Sequence, residues 1–376
     1  MGNVTQTPTR QPETGPDASP TSGPGRPNGR AGGQDRSRVS TGRNLEGHRW
    51  IGRPAESNTP EALRERLIGG LQSWRDYPAS LRLWYWLIPV LTAALGGVLR
   101  FVRLDTPRNL VFDETYYVKD AYSFLVSGYE RSWPDRANDS FIAGNPGMLL
   151  NTPEYVVHPP VGKWMIAAGM WLFGADNPFG WRFGAALTGT LSILLLALIA
   201  QKLFRSLTLG AAAGVLLAVD GHHLVMSRTS LLDIFLMFWI LAAFGALLMD
   251  RDDGRRRLAA RLGRQAAASA TGRPSALQLT SGPWLGIRWW RLAAGVCLGL
   301  AVGTKWSALF FLAGFGLLTV FWDLSARRIA GVHAWISGGI LKDGVPAFLS
   351  IVPVAALVYG ATWTGWFRST DAYFRH

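Results

Sequence analysis

Cysteine is nearly missing: Cys297 is the only one in 376 residues. A single thiol excludes a disulfide framework and every cysteine-based zinc or redox motif. Lysine is scarce as well, five among 38 basic residues, and this arginine, alanine and glycine bias points to a GC-rich bacterial genome. Residues 1–62 have almost no large apolar side chains. Such a stretch cannot offset its conformational entropy by burial and is predicted to be a disordered tail. It also lacks the apolar core of a secretory signal peptide. The start Met1-Gly2-Asn3-Val4-Thr5-Gln6 misses the Ser or Thr that myristoylation wants at the sixth position. What the chain does have is a net charge of +13 and an unevenly spread 48% of hydrophobic residues. The charge alone would suit nucleic acid or an anionic membrane surface.

Leu63, Leu67 and Leu71 share one face of a helical pattern, so 63–82 is predicted to be an amphipathic helix in the membrane interface. Residues 83–104 then form an apolar run long enough to cross a bilayer, with aromatics at its start and Arg100 and Arg103 as interfacial anchors at its end. Further runs cover about 183–201, 209–226, 231–249, 292–303, 307–322 and 345–363. The expectation is an all-α polytopic membrane protein with about seven transmembrane helices over 83–363. The loops divide by charge. The tail 1–82 carries twelve Arg against eight acids, and the loop 250–291 nine Arg against three Asp. The segment 104–180 carries nine acids against five bases. The positive-inside rule therefore puts the tail and 250–291 in the cytoplasm, with 104–180 and the start of a further segment, 364–376, outside the plasma membrane. The 250–291 loop reads as a solvated linker with a basic helix, and contact with anionic headgroups accounts for its charge without nucleic acid.

Chemistry is sought in the outer segments. Asp113 and Glu114 are adjacent carboxylates about ten residues past the first span, ahead of an amphipathic pattern at Tyr117, Ala121, Phe124 and Gly128. An N-cap and a first-turn acid describe the pair equally well, and neither role stops a carboxylate from acting as a general base. In His158-Pro159-Pro160-Val161-Gly162-Lys163, two prolines fix the start of a helix. Lys163 then sits in a first turn, where the dipole disfavours a cation and an anionic partner is invited; a snorkelling lysine is the plainer alternative. His158 reads as structural rather than as a metal ligand, and no metal site is assigned. Arg182 opens the second span, Arg228 and Asp233 flank the turn between the third and fourth, and Lys305 lies between the fifth and sixth. Charges at membrane level point to function or to mutual pairing, and an Arg228–Asp233 pair is as well supported as a catalytic role. His222 and His223 point apart and make a poor metal site.

Phe112-Asp113-Glu114-Thr115-Tyr116-Tyr117 directly after the first span resembles the aspartate–glutamate motif of protein O-mannosyltransferases. The HPPVGK string, Trp181-Arg182, Ser227-Arg228 through Leu232-Asp233 and Thr304-Lys305-Trp306 follow in the same order and on the same side. The resemblance covers about 83–363 and suggests an actinobacterial member. It implies a GT-C glycosyltransferase that moves mannose from polyprenyl or dolichyl phosphate to Ser or Thr hydroxyls of exported proteins, with inversion. Asp113 would be the base and Glu114 its helper. Lys163, Arg182, Arg228 and Lys305 would neutralise the lipid phosphate, and His158 and Asp233 would serve structure or the acceptor side. A divalent cation is admitted, and the secretion machinery is a further partner. The family pattern continues with about four more spans, so the chain reads as an N-terminal portion. A related transferase acting on a cell-wall glycan or lipid is the alternative. A transporter fits less well, because neither paired repeats nor midplane breaks are visible.

Overall fold

The protein is described by a computed structural model covering residues 59–71 and 74–375, so most of the tail expected to be disordered lies outside the described residues. Among them every regular element is helical, and the one strand-like feature is an isolated antiparallel bridge between Arg131 and Pro153. In chain order the helices are α1 (Pro60–Ile68), α2 (Ala79–Phe101), α3 (Glu114–Ser127), α4 (Ala137–Ile142), α5 (Val161–Phe173) and α6 (Pro178–Phe204). They continue with α7 (Leu207–Val219), α8 (Gly221–Met226), α9 (Leu232–Ala267), α10 (Ala276–Ser281) and α11 (Trp289–Val302). The last are α12 (Ala308–Ile329), α13 (Trp335–Gly339), α14 (Val345–Thr362) and α15 (Thr364–Arg368).

Five of these units are long and apolar enough to cross a membrane: α2, α6, α9, α12 and the continuous stretch Trp335–Thr362, which joins α13 to α14 through a π-helical turn. The seven expected spans are thus not all realised as long helices. The 209–226 run is broken at Asp220, whose extended backbone separates α7 from α8 and whose Oδ1 accepts the His223 N–H at 2.7 Å. The 292–303 run becomes α11, of 14 residues. At 1.5 Å per residue both α7 and α11 are about 20 Å long, short of the roughly 30 Å of a hydrocarbon core. Leu91 and Leu95 on α2, Phe310 and Leu317 on α12, and Phe348 and Leu357 on α14 are exposed apolar side chains. Such faces suit lipid rather than water.

Helix α6 is the centre of the packing and the most buried of the five. It starts on Asn177, whose Oδ1 accepts the Gly180 N–H, with Pro178 at the first helical position. Small residues let α5 approach: a Cβ at Gly184 would lie 2.4 Å from the Met165 carbonyl. Trp181 and Ile193 are fully buried along it.

Two sequence readings need correction at the basic end. The 250–291 loop does not begin as a linker, because α9 runs unbroken for 36 residues to Ala267. Leu258, Ala259 and Leu262 give its second half an apolar stripe, and α1 lies on that stripe through Leu63 and Leu67. Both leucines are buried, worth about 1.5–3 kcal/mol each. The face of 63–82 expected on lipid is therefore covered by protein, and the helix ends at Ile68. Arg100, expected as an interfacial anchor, is fully buried: it donates to the carbonyls of Gly96, Leu217 and Ala218, and its Nη2 lies 2.6 Å from His223 Nδ1.

Candidate active site

Residues 102–113 have no regular structure, yet their backbone is held firmly by two guanidinium groups. The last carbonyls of a helix lack partners within it. Arg228 meets this need by donating from Nη1 to the carbonyls of Leu99, Arg100 and Val102 and from Nη2 to that of Arg103, at 2.8–3.0 Å. Arg182 takes the next stretch, donating to the carbonyls of Leu104, Pro107 and Asn109. It also forms a two-pronged pair with Glu114, Nε to Oε1 and Nη2 to Oε2, both at 2.8 Å. Glu114 in turn accepts the N–H of Val111 and that of Ser230, each at 2.9 Å. Glu114 is completely buried and Arg182 nearly so. One carboxylate thereby ties α3, the start of α6 and the turn before α9 to the loop that leaves the first span.

Asp113 is placed differently. It occupies the N-cap position of α3 but makes no capping bond; the N–H groups of Thr115 and Tyr116 go instead to the backbone carbonyls of Phe112 and Asp113. Phe112 before it adopts φ 53°, a conformation that costs an aromatic residue about 1–3 kcal/mol. Asp113 is half-buried, and among the described residues its side chain has no hydrogen-bond or ion-pair partner. Its charge reaches two rings that stand 5.9 Å apart, Tyr117 and His158. Burial, and then Asp113, push the Tyr117 hydroxyl up to about 12. Burial, and then Lys305 and Lys163, hold the His158 imidazole below its usual value.

The remaining motif residues separate into two groups. Lys305 pairs with Asp233 at 2.8 Å, and both remain partly exposed. The Val161 N–H donates to the Gly303 carbonyl at 2.9 Å. A Cβ on Gly162 would come within 2.6 Å of Leu232 and 3.2 Å of Thr304, so glycine at 162 lets three distant motifs meet. Lys163 points the other way. It is fully buried between Asp120 and Glu130, at 2.9 Å from each. Burial lowers the ammonium pKa, but the two carboxylates outweigh that and raise it. Glu154 lies beside this group; burial, and then the Asp120 charge, raise its pKa to about 7.

Asp113, His158, Asp233 and Lys305 are therefore brought together electrostatically, with Glu114 and Arg182 as their support. Lys163 and Arg182 have carboxylate partners, and the terminal nitrogens of Arg228 face carbonyls, so these three cations are engaged by the protein itself. The sequence expectation had them facing a phosphate. Arg228 does not pair with Asp233, whose partner is Lys305. Sequence reasoning missed Asp120 and Glu130 as the partners of Lys163. A signal for Asp120 was present: it lies on the stripe of Tyr117, Ala121 and Phe124, where an acid needs a buried cation. Among the described residues no three His, Cys, Asp or Glu side chains are grouped to hold a metal ion.

Comparison with known proteins adds to this geometry. Residues 90–339 match the family described as dolichyl-phosphate-mannose-protein mannosyltransferase. The chain is 39% identical over 313 residues to a polyprenol-phosphate-mannose–protein mannosyltransferase of Mycobacterium tuberculosis, covering 82% of this chain and 54% of that protein. It is 40% identical over 296 residues to the protein of that name from Corynebacterium glutamicum, covering 76% and 52%. The chain thus spans about half the length of the curated relatives it matches. Among solved structures, ArnT from Cupriavidus metallidurans in the apo state aligns with a TM-score of 0.42 at 23% identity, over 75% of this chain and 43% of that one.

Proposed function

Because the chain belongs to the dolichyl-phosphate-mannose-protein mannosyltransferase family and is a multi-pass membrane protein, we propose that it carries the catalytic half of a GT-C enzyme. That enzyme transfers mannose from polyprenyl phosphate to Ser or Thr hydroxyls of polypeptides. The observation that carries this reading is the contrast between two adjacent carboxylates. Glu114 is held by Arg182 and two backbone N–H groups, whereas Asp113 has no partner among the described residues and shares the surroundings of His158 with the partly exposed Lys305–Asp233 pair.

In this reading the Asp113 carboxylate accepts the proton of the acceptor hydroxyl as its oxygen attacks the anomeric carbon. The bond from that carbon to the phosphate oxygen breaks, and the sugar carbon inverts. The leaving polyprenyl phosphate gains negative charge, which Lys305 offsets by turning from Asp233 toward it. Lys163, Arg182 and Arg228 act by positioning. Positive charge on the 1–82 and 250–291 segments supports a cytoplasmic side for them and an outer face for Asp113.

Membranes from cells expressing the chain, incubated with polyprenyl-phosphate mannose and a Ser/Thr peptide, should put alkali-labile mannose on the peptide. Label that enters only glycan or lipid would favour the related transferases. Label that enters nothing would remove the reading for this chain.

A further inference from the structure

The bridge between Arg131 and Pro153 sets a register that continues toward the site. Ser132 donates its N–H to the Thr152 carbonyl at 2.8 Å, Leu150 to the Ser132 carbonyl at 2.9 Å, and Glu154 to the Glu130 carbonyl at 3.2 Å. The backbone groups of residues 150, 152 and 154 thus face the 130–132 segment. In an extended chain those of the odd-numbered residues between and beyond them face the opposite edge. Pro153 has no N–H and blunts that edge where it begins.

The backbones of Tyr155 and Val157 leave it open, with the Tyr155 ring set edge-on to that of Tyr373 at 5.3 Å. Among the described residues neither the N–H nor the C=O of either makes a hydrogen bond. Exposure alternates along the segment, with Pro153, Tyr155 and Val157 exposed and Glu154, Val156 and His158 half-buried. That period of two is the mark of an extended chain, and a residue before proline, as His158 is before Pro159, is held extended as well. The open edge therefore runs into His158, whose ring lies in the fields of Asp113, Asp233 and Lys305.

An unpaired run of backbone donors and acceptors is matched by another extended backbone, and it is indifferent to that backbone's side chains. We propose that the Tyr155–Val157 edge binds the acceptor polypeptide as an added strand and delivers its hydroxyl to Asp113. This rests on the reading of the chain as a transferase with a protein acceptor, and it names how that acceptor is held. The substrate class is then an unfolded or extended segment recognised by its main chain. A strand rising about 3.3 Å per residue carries a hydroxyl from Val157 past His158 within two or three residues. Folded helical segments are excluded, because their backbone groups are already paired.

The test reads binding rather than turnover. A fluorescent Ser/Thr peptide is titrated by anisotropy against the full chain in lipid nanodiscs. Tyr155→Pro and Val157→Pro, which delete N–H groups that the register turns outward, should each weaken binding about 3- to 10-fold, while Val156→Pro, whose N–H the register turns toward the other edge, should change it less than about 2-fold. Peptides N-methylated on alternate backbone nitrogens guard against misfolded variants: one set should lose affinity and the other keep it. Equal effects in both sets, or none in either, would overturn the edge. So would cross-linking between two copies at this edge that the peptide does not compete away. Alternation without mannosyl transfer leaves the edge intact and removes the transferase reading; transfer without alternation removes the edge alone.

Discussion

The start and the middle of α9 handle buried charge in opposite ways. Asp250 and Asp233 lie on this one helix, about 17 residues or roughly 26 Å apart. Around Asp250, three aspartates (Asp250, Asp323 and Asp343) meet three arginines (Arg288, Arg291 and Arg327), with pairs at 2.5–3.0 Å and almost no exposure. Every one of those charges has an opposite partner. Around Asp233, Glu114 and Lys163 are closed in the same manner, but among the described residues Asp113 has no partner, and the Lys305–Asp233 pair is partly exposed. A closed network fixes helices against one another. A charge left unmatched beside an exposed pair can instead take a proton or meet an anion, and the chemistry is assigned to that end.

The contrast is broken most forcefully by removing one member of a closed pair. Asp250→Ala and Arg182→Ala each strand a buried charge and should lower unfolding stability by about 3–5 kcal/mol. Denaturation in detergent that shows less than about 1 kcal/mol for either would mean that the pair is not closed. Lys305→Ala, by contrast, removes a partly exposed cation. It should leave stability within about 1 kcal/mol and raise the KM for polyprenyl-phosphate mannose roughly 10- to 100-fold, as expected for losing one charged contact of about 1.5–3 kcal/mol. An unchanged donor KM would take Lys305 out of the phosphate site.

Much of this was legible in the sequence, and the rest was hidden for identifiable reasons. The apolar runs located α2, α6, α9, α12 and α14, because a bilayer demands length and hydropathy that composition records directly. The order of FDETYY, HPPVGK, WR, SR to LLD and TKW pointed to the candidate site, where Lys305 pairs with Asp233 and both, with Asp113, act electrostatically on His158. Which carboxylate of the Asp113–Glu114 pair is free could not be read, since it depends on Arg182 arriving from 68 residues away. Lys163 showed its charge but not its partners, because Asp120 and Glu130 lie on other segments. The helical course of α9 beyond Asp250 was obscured by its arginines, several of which spread over a surface whose apolar stripe faces α1.

The smallest expected effect lies in the Lys163 cluster. Glu154 titrates at about 7 in the fold, chiefly through burial, against about 4.5 when unfolded. A carboxyl raised in this way favours the protonated fold, so its ionisation costs stability progressively as pH rises from about 4.5 to 7. Glu154→Gln should therefore raise Tm at pH 8 and leave it unchanged at pH 4. A gain of the same size at both pH values would show that Glu154 does not titrate there.

The division between a closed and an open carboxylate is tested most directly by placing Asp113→Asn beside Glu114→Gln in one assay of both Tm and mannosyl transfer to a Ser/Thr peptide. Asp113→Asn is expected to keep the wild-type Tm within about 1 °C and to lower transfer by roughly 10²–10⁴-fold, the usual worth of a general base. Glu114→Gln is expected to lower Tm by several degrees. Retained transfer in Asp113→Asn, or a wild-type Tm in Glu114→Gln, would contradict it.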